Sequence, residues 1–250
     1  MHAIKCHHRP GHIAVITADL MRYPGFAISL QNLKVPAGSS WNWVRGNGIA
    51  LNRNMCVEEA TGEWVWFIDD DHEFEPDLLM RLLDRRVDIV EPLVMTRKPP
   101  FRPYIYFKVK AEHTTEWMVG YRSPEPHEMP RSGIWACDAV GTGGCLIQRP
   151  IFEALEKPYF QEGHRQKDAL GEDLTFMEHA GEKGFQPYVD LDTRMGHTTP
   201  MTVWPGQDAD GRWCVEIDML DGPRVRIPLP HGMLGRRSGV ENKGKSDGEI

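Results

Sequence analysis

No apolar run in the chain approaches the ~18 to 20 residues needed to cross a bilayer, and the first twelve residues, MHAIKCHHRPGH, lack the apolar core of a secretion signal. Neither a membrane-spanning nor an exported protein is expected. Cysteine is scarce: Cys6, Cys56, Cys137, Cys145 and Cys214 are odd in number, widely spaced and contain no CxxC. That pattern excludes a disulfide framework and a zinc knuckle, and fits reduced thiols in a cytoplasm. Positive charge is also in deficit, with 29 Lys and Arg against 36 Asp and Glu, a formal net charge of -7. General nucleic-acid binding is therefore not expected, although a local basic groove is compatible with it. No internal repeat is evident. The histidines near the N-terminus have two readings, adventitious metal binding or a frayed polar end, and the second is the simpler.

What the chain does have is 250 residues, enough to bury a full core as one large α/β domain or two small ones, of which one domain is the simpler reading. Its most informative stretch is EWVWFIDDDHEFEPDLLMRLLDRR, residues 63–86. Residues 64–68 are aromatic and β-branched, as in a strand buried on both faces. Strand alternation would send Asp69 and Asp71 to one side and Asp70 to the other, so that two carboxylates could share a divalent cation. Pro76 suits a first helical position, Asp77 suits the positive end of the helix dipole, and Leu78, Leu79, Leu82 and Leu83 form an apolar stripe. In open α/β sheets ligands collect beyond the carboxyl ends of the strands, where this acidic triplet falls. A solvated acidic turn is the bland alternative, but a turn needs one Asp or Asn rather than three.

Upstream, residues 13–18 read as a first buried strand closed by Asp19, 26–33 as a helix, 35–48 as a loop and 49–60 as a second helix stopped by Gly62. Residues 87–95 read as a strand in which Pro92 implies an edge or an irregular point. Arg97, Lys98 and Arg102 lie among aromatics just past it, in a basic loop suited to phosphate. Residues 112–131, with three prolines, read as an irregular and mobile excursion on the acceptor side. In IWACDAVGTGGCLIQ, Gly141, Gly143 and Gly144 allow a backbone to approach a ligand or turn sharply. A helix is expected from about Pro150, then a polar loop over 163–170. Glu172 and Asp173 stand at the start of a further helix, and residues 188–195 form a strand that delivers Gly196 and His197. Residues 202–228 read as short strands joined by turns at Asp210-Gly211 and Asp221-Gly222. The expected organisation is a core over 1–200, a β extension over 201–235 and a disordered polar tail over 236–250.

Three features in this order, a strand ending in Asp69-Asp70-Asp71, a Gly-Glu-Asp at a helix start and a strand ending in Met-Gly-His, resemble the nucleotide-sugar glycosyltransferases of the GT-A fold, broadly family two, including short versions seen in bacteriophage and actinobacterial genomes. The likeness spans residues 13–197. NRNMCVEEATGEWVWFIDDDHEF resembles the family's Arg-Asn helix, Ala-x-Gly turn and DxD strand in succession. VGTGGCLIQRPIFEAL resembles the strand and helix beneath the acceptor site, and GEDLTFMEHAGEKGF resembles the ED helix.

The resemblance implies an α/β fold, a Rossmann-like mixed sheet flanked by helices, in a single domain with a small C-terminal β extension. It implies a UDP- or GDP-linked donor, Mn²⁺ or Mg²⁺ as cofactor, an unknown acceptor hydroxyl and a location in the cytoplasm, of the host if phage-encoded. Asp71 would bind the metal, Asp69 the ribose or the metal's water shell, and His197 would complete the metal site unless it is a core histidine. Thr17, Asp19, Arg53 and Asp70 fall at donor positions, while Arg97, Gly143 and Gly144 are candidates for phosphate or acceptor. Asp173 matches the base that deprotonates the acceptor, with Glu172 its neighbouring candidate and a purely capping role its alternative. A helix-start carboxylate is expected to keep a low pKa. Residues 35–48 replace the family's Asp-rich uracil-reading turn, so the base stays open, and the His197 match leaves inversion and retention both open. Inversion is the expectation carried forward. Two other classes compete: a sugar-phosphate nucleotidyltransferase, whose Gly-rich basic signature is missing from IAVITADLMRYPGF, and a non-catalytic carbohydrate-binding or scaffold protein.

Overall fold

Along β5 (Trp64–Asp69), side chains alternate between two cores, and this alternation organises the fold. Trp64, Trp66 and Ile68 pack on one face, Val65 and Phe67 on the other. The structure is a computed structural model that describes residues 1–17, 23–110, 119–161, 170–219 and 224–228. It divides into two units, Met1–Thr199 and Pro200–Ile250.

The described elements of the first unit, in chain order, begin with β1 (His2–Ile4), β2 (His12–Thr17), α1 (Pro24–Asn32), β3 (Lys34–Pro36), β4 (Ser40–Arg45) and α2 (Ile49–Glu59), which leads into β5. After it come β6 (His72–Glu73), α3 (Leu78–Asp84), β7 (Ile89–Leu93), β8 (Ile105–Lys110), β9 (Val119–Arg122), β10 (Ile134–Ala136), β11 (Ala139–Val140) and β12 (Leu146–Gln148). The unit closes with α4 (Arg149–Ala154), α5 (Glu172–Glu182), β13 (Pro187–Arg194) and β14 (Gly196–His197). Its main sheet has seven strands in the order β10-β13-β7-β12-β5-β2-β4. β4, β2 and β5 run parallel, as do β7 and β13, while β12 is antiparallel to both its neighbours and β10 is antiparallel to β13. The sheet is thus mixed, with helices covering both faces.

Period two along the strands explains the layering. Ile13, Val15, Val90 and Leu146 join the core under α1 and α3, which contribute Phe26, Leu30, Leu78, Leu79, Leu82 and Leu83. Ala14, Ile16, Ile89 and Ile147 join the core under α2, α4 and α5, which contribute Cys56, Val57, Ile151, Phe152, Phe176 and Met177. Burying a side chain such as Leu79 or Phe176 contributes roughly 1.5 to 3 kcal/mol, so these two layers fix the strands whose ends carry the site.

Three expectations are corrected, and the alternative left open at Pro92 is decided. Residues 35–48 are not a loop: β4 forms the sheet edge beside β2, in register from His12↔Ser40 to Thr17↔Arg45. Its polar residues misled because they bond across the strands, with the His12 ring 2.8 Å from Ser40 Oγ and 3.0 Å from Asn42 Oδ1. Pro92 lies inside the sheet, not at its edge, and marks an irregularity where the β7–β13 register slips between Asp190 and Arg194. α3 starts at Leu78 and not at Pro76; Asp77 is its N-cap residue, and its carboxylate accepts from Arg81 Nε at 3.0 Å instead of capping the backbone. Finally, β5 ends at Asp69, so Asp70 and Asp71 belong to a turn and strand alternation stops before them.

The second unit contains a meander of β15 (Met201–Gln207), β16 (Trp213–Met219) and β17 (Val225–Pro228), antiparallel throughout. Arg224 and Arg226 on one side of it pair with Glu216. The turn expected at Asp221-Gly222, most of the loop expected over 163–170, part of the 112–131 excursion and the tail over 236–250 lie outside the described residues. Among the described residues no helix is long and apolar enough to cross a membrane.

Candidate functional site

Two cavities adjoin the carboxyl end of β5 and share Ile49 and Asp69. The larger, about 450 Å³, is lined by Thr17, Tyr23, Gly46, Asn47, Asn52, Asp69, Asp70, Asp71 and Arg97. The smaller, about 160 Å³, is lined by Arg53, His72, Glu91, Tyr104, Gly141, Thr142, Gly143, Glu172, Asp173 and His197. Both sit where α/β sheets place their ligands.

One corner gathers Asp71, His72 and His197, whose ligand atoms all lie within 4.8 Å of one another. The antiparallel pairing of β14 with β6 sets His197 opposite His72, and the two rings stack with centroids 4.6 Å apart. His197 Nδ1 is 3.1 Å from the Met95 carbonyl oxygen, to which it donates, and Nε2 lies 3.2 Å from Asp71 Oδ2, a spacing that a shared proton or a cation fills. Burial lowers the pKa of His72, which keeps that imidazole neutral and able to ligate. Burial pushes the Asp71 carboxyl up, but the His197 hydrogen bond, the neighbouring imidazoles and Arg97 outweigh it, leaving Asp71 below its ordinary value. Arg97 Nη1 donates to Asp71 Oδ2 at 2.7 Å. An ionised carboxylate with two imidazoles is a donor set able to hold a divalent cation such as Mn²⁺.

The second corner has the opposite character. Arg53 on α2 is buried and pairs with Glu172 at the start of α5, and its Nη2 lies 3.6 Å from Asp69 Oδ2. Asp173 Oδ1 accepts from the Leu174 N–H at 2.8 Å. Burial raises Asp173, and Arg53 and the backbone hydrogen bonds only partly offset it. The low pKa expected for a helix-start carboxylate is therefore corrected: desolvation outweighs the dipole. Burial raises Glu172 as well, against the pull of Arg53.

Residues 42–138 match the model of Glycosyl transferase family 2, a segment that holds Arg53, the three aspartates and Arg97. No curated protein gives a match. Among solved structures, the chain is similar to GalNAc-T7 with UDP, GalNAc and Mn²⁺, at 15% identity and a TM-score of 0.50, over 74% of this chain and 42% of that one. It is also similar to A197 from STIV, at 13% identity and a TM-score of 0.48, over 91% and 99% of the two chains. A third is the inositol-1-phosphate CTP transferase from T. maritima, at 13% identity and a TM-score of 0.38, over 75% and 69%. The chain has a GT-A fold.

Within this GT-A fold the expected site residues do not all come together. Asp69, Asp70 and Asp71 line one cavity, against the expectation that Asp70 points away. The turn after Asp69 brings it back: the Asp70 N–H bonds the Ile16 carbonyl at 3.2 Å, and the Thr17 hydroxyl bonds the Asp70 carboxylate. Thr17 is thus at the larger cavity but already engaged. Asp69 stands apart from the converging ligand group, turned toward Arg53, with Oδ1 buried and unpartnered. Gly143 lines the smaller cavity, and a Cβ there would lie 2.8 Å from Asp69 Oδ2 and 2.9 Å from His72 Cε1, so the loop packs closely on these side chains. Gly144 lines neither cavity; its carbonyl accepts from Trp66 Nε1 at 2.8 Å, and a Cβ there would meet Met195 Sδ. Asp19 lies outside the described residues.

Sequence reasoning missed His72, Glu91, Tyr104 and Thr142. His72 was signalled by its place directly after the aspartates, and Glu91 by being an acid inside the apolar run of β7. Nothing in the sequence marked Thr142. The other converging group, His7, His8 and Asp84, lies at the end of α3, with His7 and Asp84 exposed.

Proposed function

We propose that the chain is a metal-dependent glycosyltransferase that moves a hexose from a UDP- or GDP-linked donor to an acceptor hydroxyl, with inversion. The observation that carries this reading is the pair of cavities meeting at Asp69. The larger has room for a nucleoside diphosphate beside Thr17, Asn52 and Asp70, and the smaller has the scale of one sugar ring beside Asp173.

Asp71, His72 and His197 would hold the cation, with Asp69 toward the ribose. When bound, that ion neutralises charge developing on the departing diphosphate. The protein's own residues do the rest. Arg97, beside Asp71, adds a cation at the diphosphate, and the Arg53–Glu172 pair holds α5 so that Asp173 faces the smaller cavity. Glu172 is engaged by Arg53, which leaves Asp173 as the base. It takes the acceptor's proton as the oxygen attacks the anomeric carbon from the face opposite the diphosphate. Its raised pKa suits the role, because a base nearer the working pH accepts a proton more effectively. The protein acts in a cytoplasm, where nucleotide sugars are available.

The test is incubation with a panel of UDP- and GDP-sugars and Mn²⁺, scored for sugar release and transfer, with NMR of the first-formed product. Release of free sugar from one donor, with an inverted anomeric centre, is expected. Pyrophosphate release from a sugar phosphate and a nucleoside triphosphate would establish a nucleotidyltransferase instead, and no turnover with any donor would establish a non-catalytic protein.

A further inference from the structure

Glu91 has no part in the chemistry above, yet its position is costly. It follows Val90 on β7, so alternation turns it to the α5 side of the sheet, where it is almost wholly buried at the smaller cavity. Burial, reinforced by the negative charge of Asp173, holds its carboxyl well above the ordinary range and so favours the protonated form, which can both donate and accept. The neighbouring loop is shaped around it: a Cβ on Gly141 would lie 3.0 Å from Glu91 Oε1. The next residue, Thr142, is also buried at this cavity, and its Oγ1 has no hydrogen-bond partner. A buried hydroxyl left unpaired is costly, and a ligand hydroxyl would remove that cost.

We infer that the Glu91 carboxyl and the Thr142 hydroxyl form the floor of a sugar subsite that recognises the ring hydroxyls of an uncharged monosaccharide. Both groups donate and accept, as ring hydroxyls do, so each can bond a neighbouring sugar oxygen in either sense. The cavity's volume, equal to roughly five liquid waters, matches one ring and not a disaccharide. Its walls decide the charge class: the carboxyl groups of Asp69, Glu172 and Asp173 stand against the single guanidinium of Arg53. An added sugar carboxylate would be repelled. The inference rests on the reading of the larger cavity as a nucleotide site.

The experiment is calorimetric titration, in Mn²⁺, of UDP, GDP, UDP-glucose, GDP-mannose and the corresponding uronates UDP-glucuronate and GDP-mannuronate. Thr142→Val, which keeps size and shape, and Glu91→Leu are each expected to weaken the preferred nucleotide sugar by about tenfold, leaving the bare diphosphate unchanged. Glu91→Gln, with a donor and an acceptor retained, is expected to stay within about threefold. The wild type should hold the uronate at least ~10-fold more weakly than the neutral sugar. Unchanged nucleotide-sugar affinity in both Thr142→Val and Glu91→Leu would overturn the inference. So would an equal loss for the bare diphosphate, or a uronate held as tightly as the neutral sugar. Binding of the diphosphates with no gain from any attached sugar would sink the subsite while sparing the nucleotide reading. A wild type that binds no diphosphate would remove that reading and this inference with it.

Discussion

The corner around Asp71 and the corner around Asp173 hold the same kind of side chain a short way along one cleft, and the protein drives the two carboxyls in opposite directions. At Asp71, burial is overcome by His72, His197 and Arg97, and the group is kept ionised. At Asp173, Arg53 is already paired with Glu172, so burial prevails and the group is pushed up. Environment, not residue type, sets the two carboxyls apart. The difference can be broken at either end.

The largest effect is expected from Asp173→Asn, which keeps the group's size and removes its basicity. Transfer should fall by roughly 10² to 10⁴-fold with little change in diphosphate affinity, read from kcat and from calorimetry. An equal loss of diphosphate affinity would move Asp173 from the chemistry to the scaffold. Next comes Arg53→Met, which strands Glu172 beside Asp69 and Asp173. A loss of about 3 to 5 kcal/mol in stability is expected by denaturant unfolding, because a buried partner is left uncompensated.

His72→Ala and His197→Ala are each expected to weaken Mn²⁺ binding by about 10- to 100-fold while the melting temperature changes little. Normal metal affinity in His72→Ala would return the ligand set to Asp69, Asp71 and His197. The smallest effect is a pH signature in the metal-free protein. Asp71 has a lowered folded pKa, so the stability it contributes is present above its unfolded pKa and lost as pH falls through the folded value. Glu91 has a raised folded pKa, so the folded state binds the extra proton and stability declines as pH rises above the unfolded pKa. Thermal melts from pH 3 to 7 should therefore show Asp71→Asn losing ground on the wild type as pH rises, and Glu91→Leu gaining it. The same sign for both variants would contradict the comparison.

The strands and helices that carry the site were legible because they obey strong periodic rules. The buried run at β5, the leucine stripe of α3 and the Gly-Glu-Asp start of α5 all appear where the pattern puts them. β4 escaped because Ser40 and Asn42 are polar for the sake of His12 across the strand, a partner that only the fold supplies. The site was legible as a set of chemistries and less so as a set of contacts. The three aspartates, Arg97, Asp173 and His197, named from the sequence, line the two cavities, yet strand alternation was carried one residue too far, and the low pKa expected of Asp173 neglected its burial. Thr142 was invisible, since a lone threonine beside glycines acquires meaning only once its hydroxyl is seen to lack a partner.

The central claim is that a divalent cation at Asp71, His72 and His197 couples the protein to a nucleoside diphosphate. Its most direct test is calorimetric titration of UDP and GDP into the chelated protein and into the same protein with Mn²⁺. The account requires one of the two diphosphates to bind with Mn²⁺ and to lose at least ~10-fold in affinity without it, because bare phosphates and the Asp69 to Asp71 carboxylates repel in a partly dry cleft. Equal affinity in the two samples would contradict it.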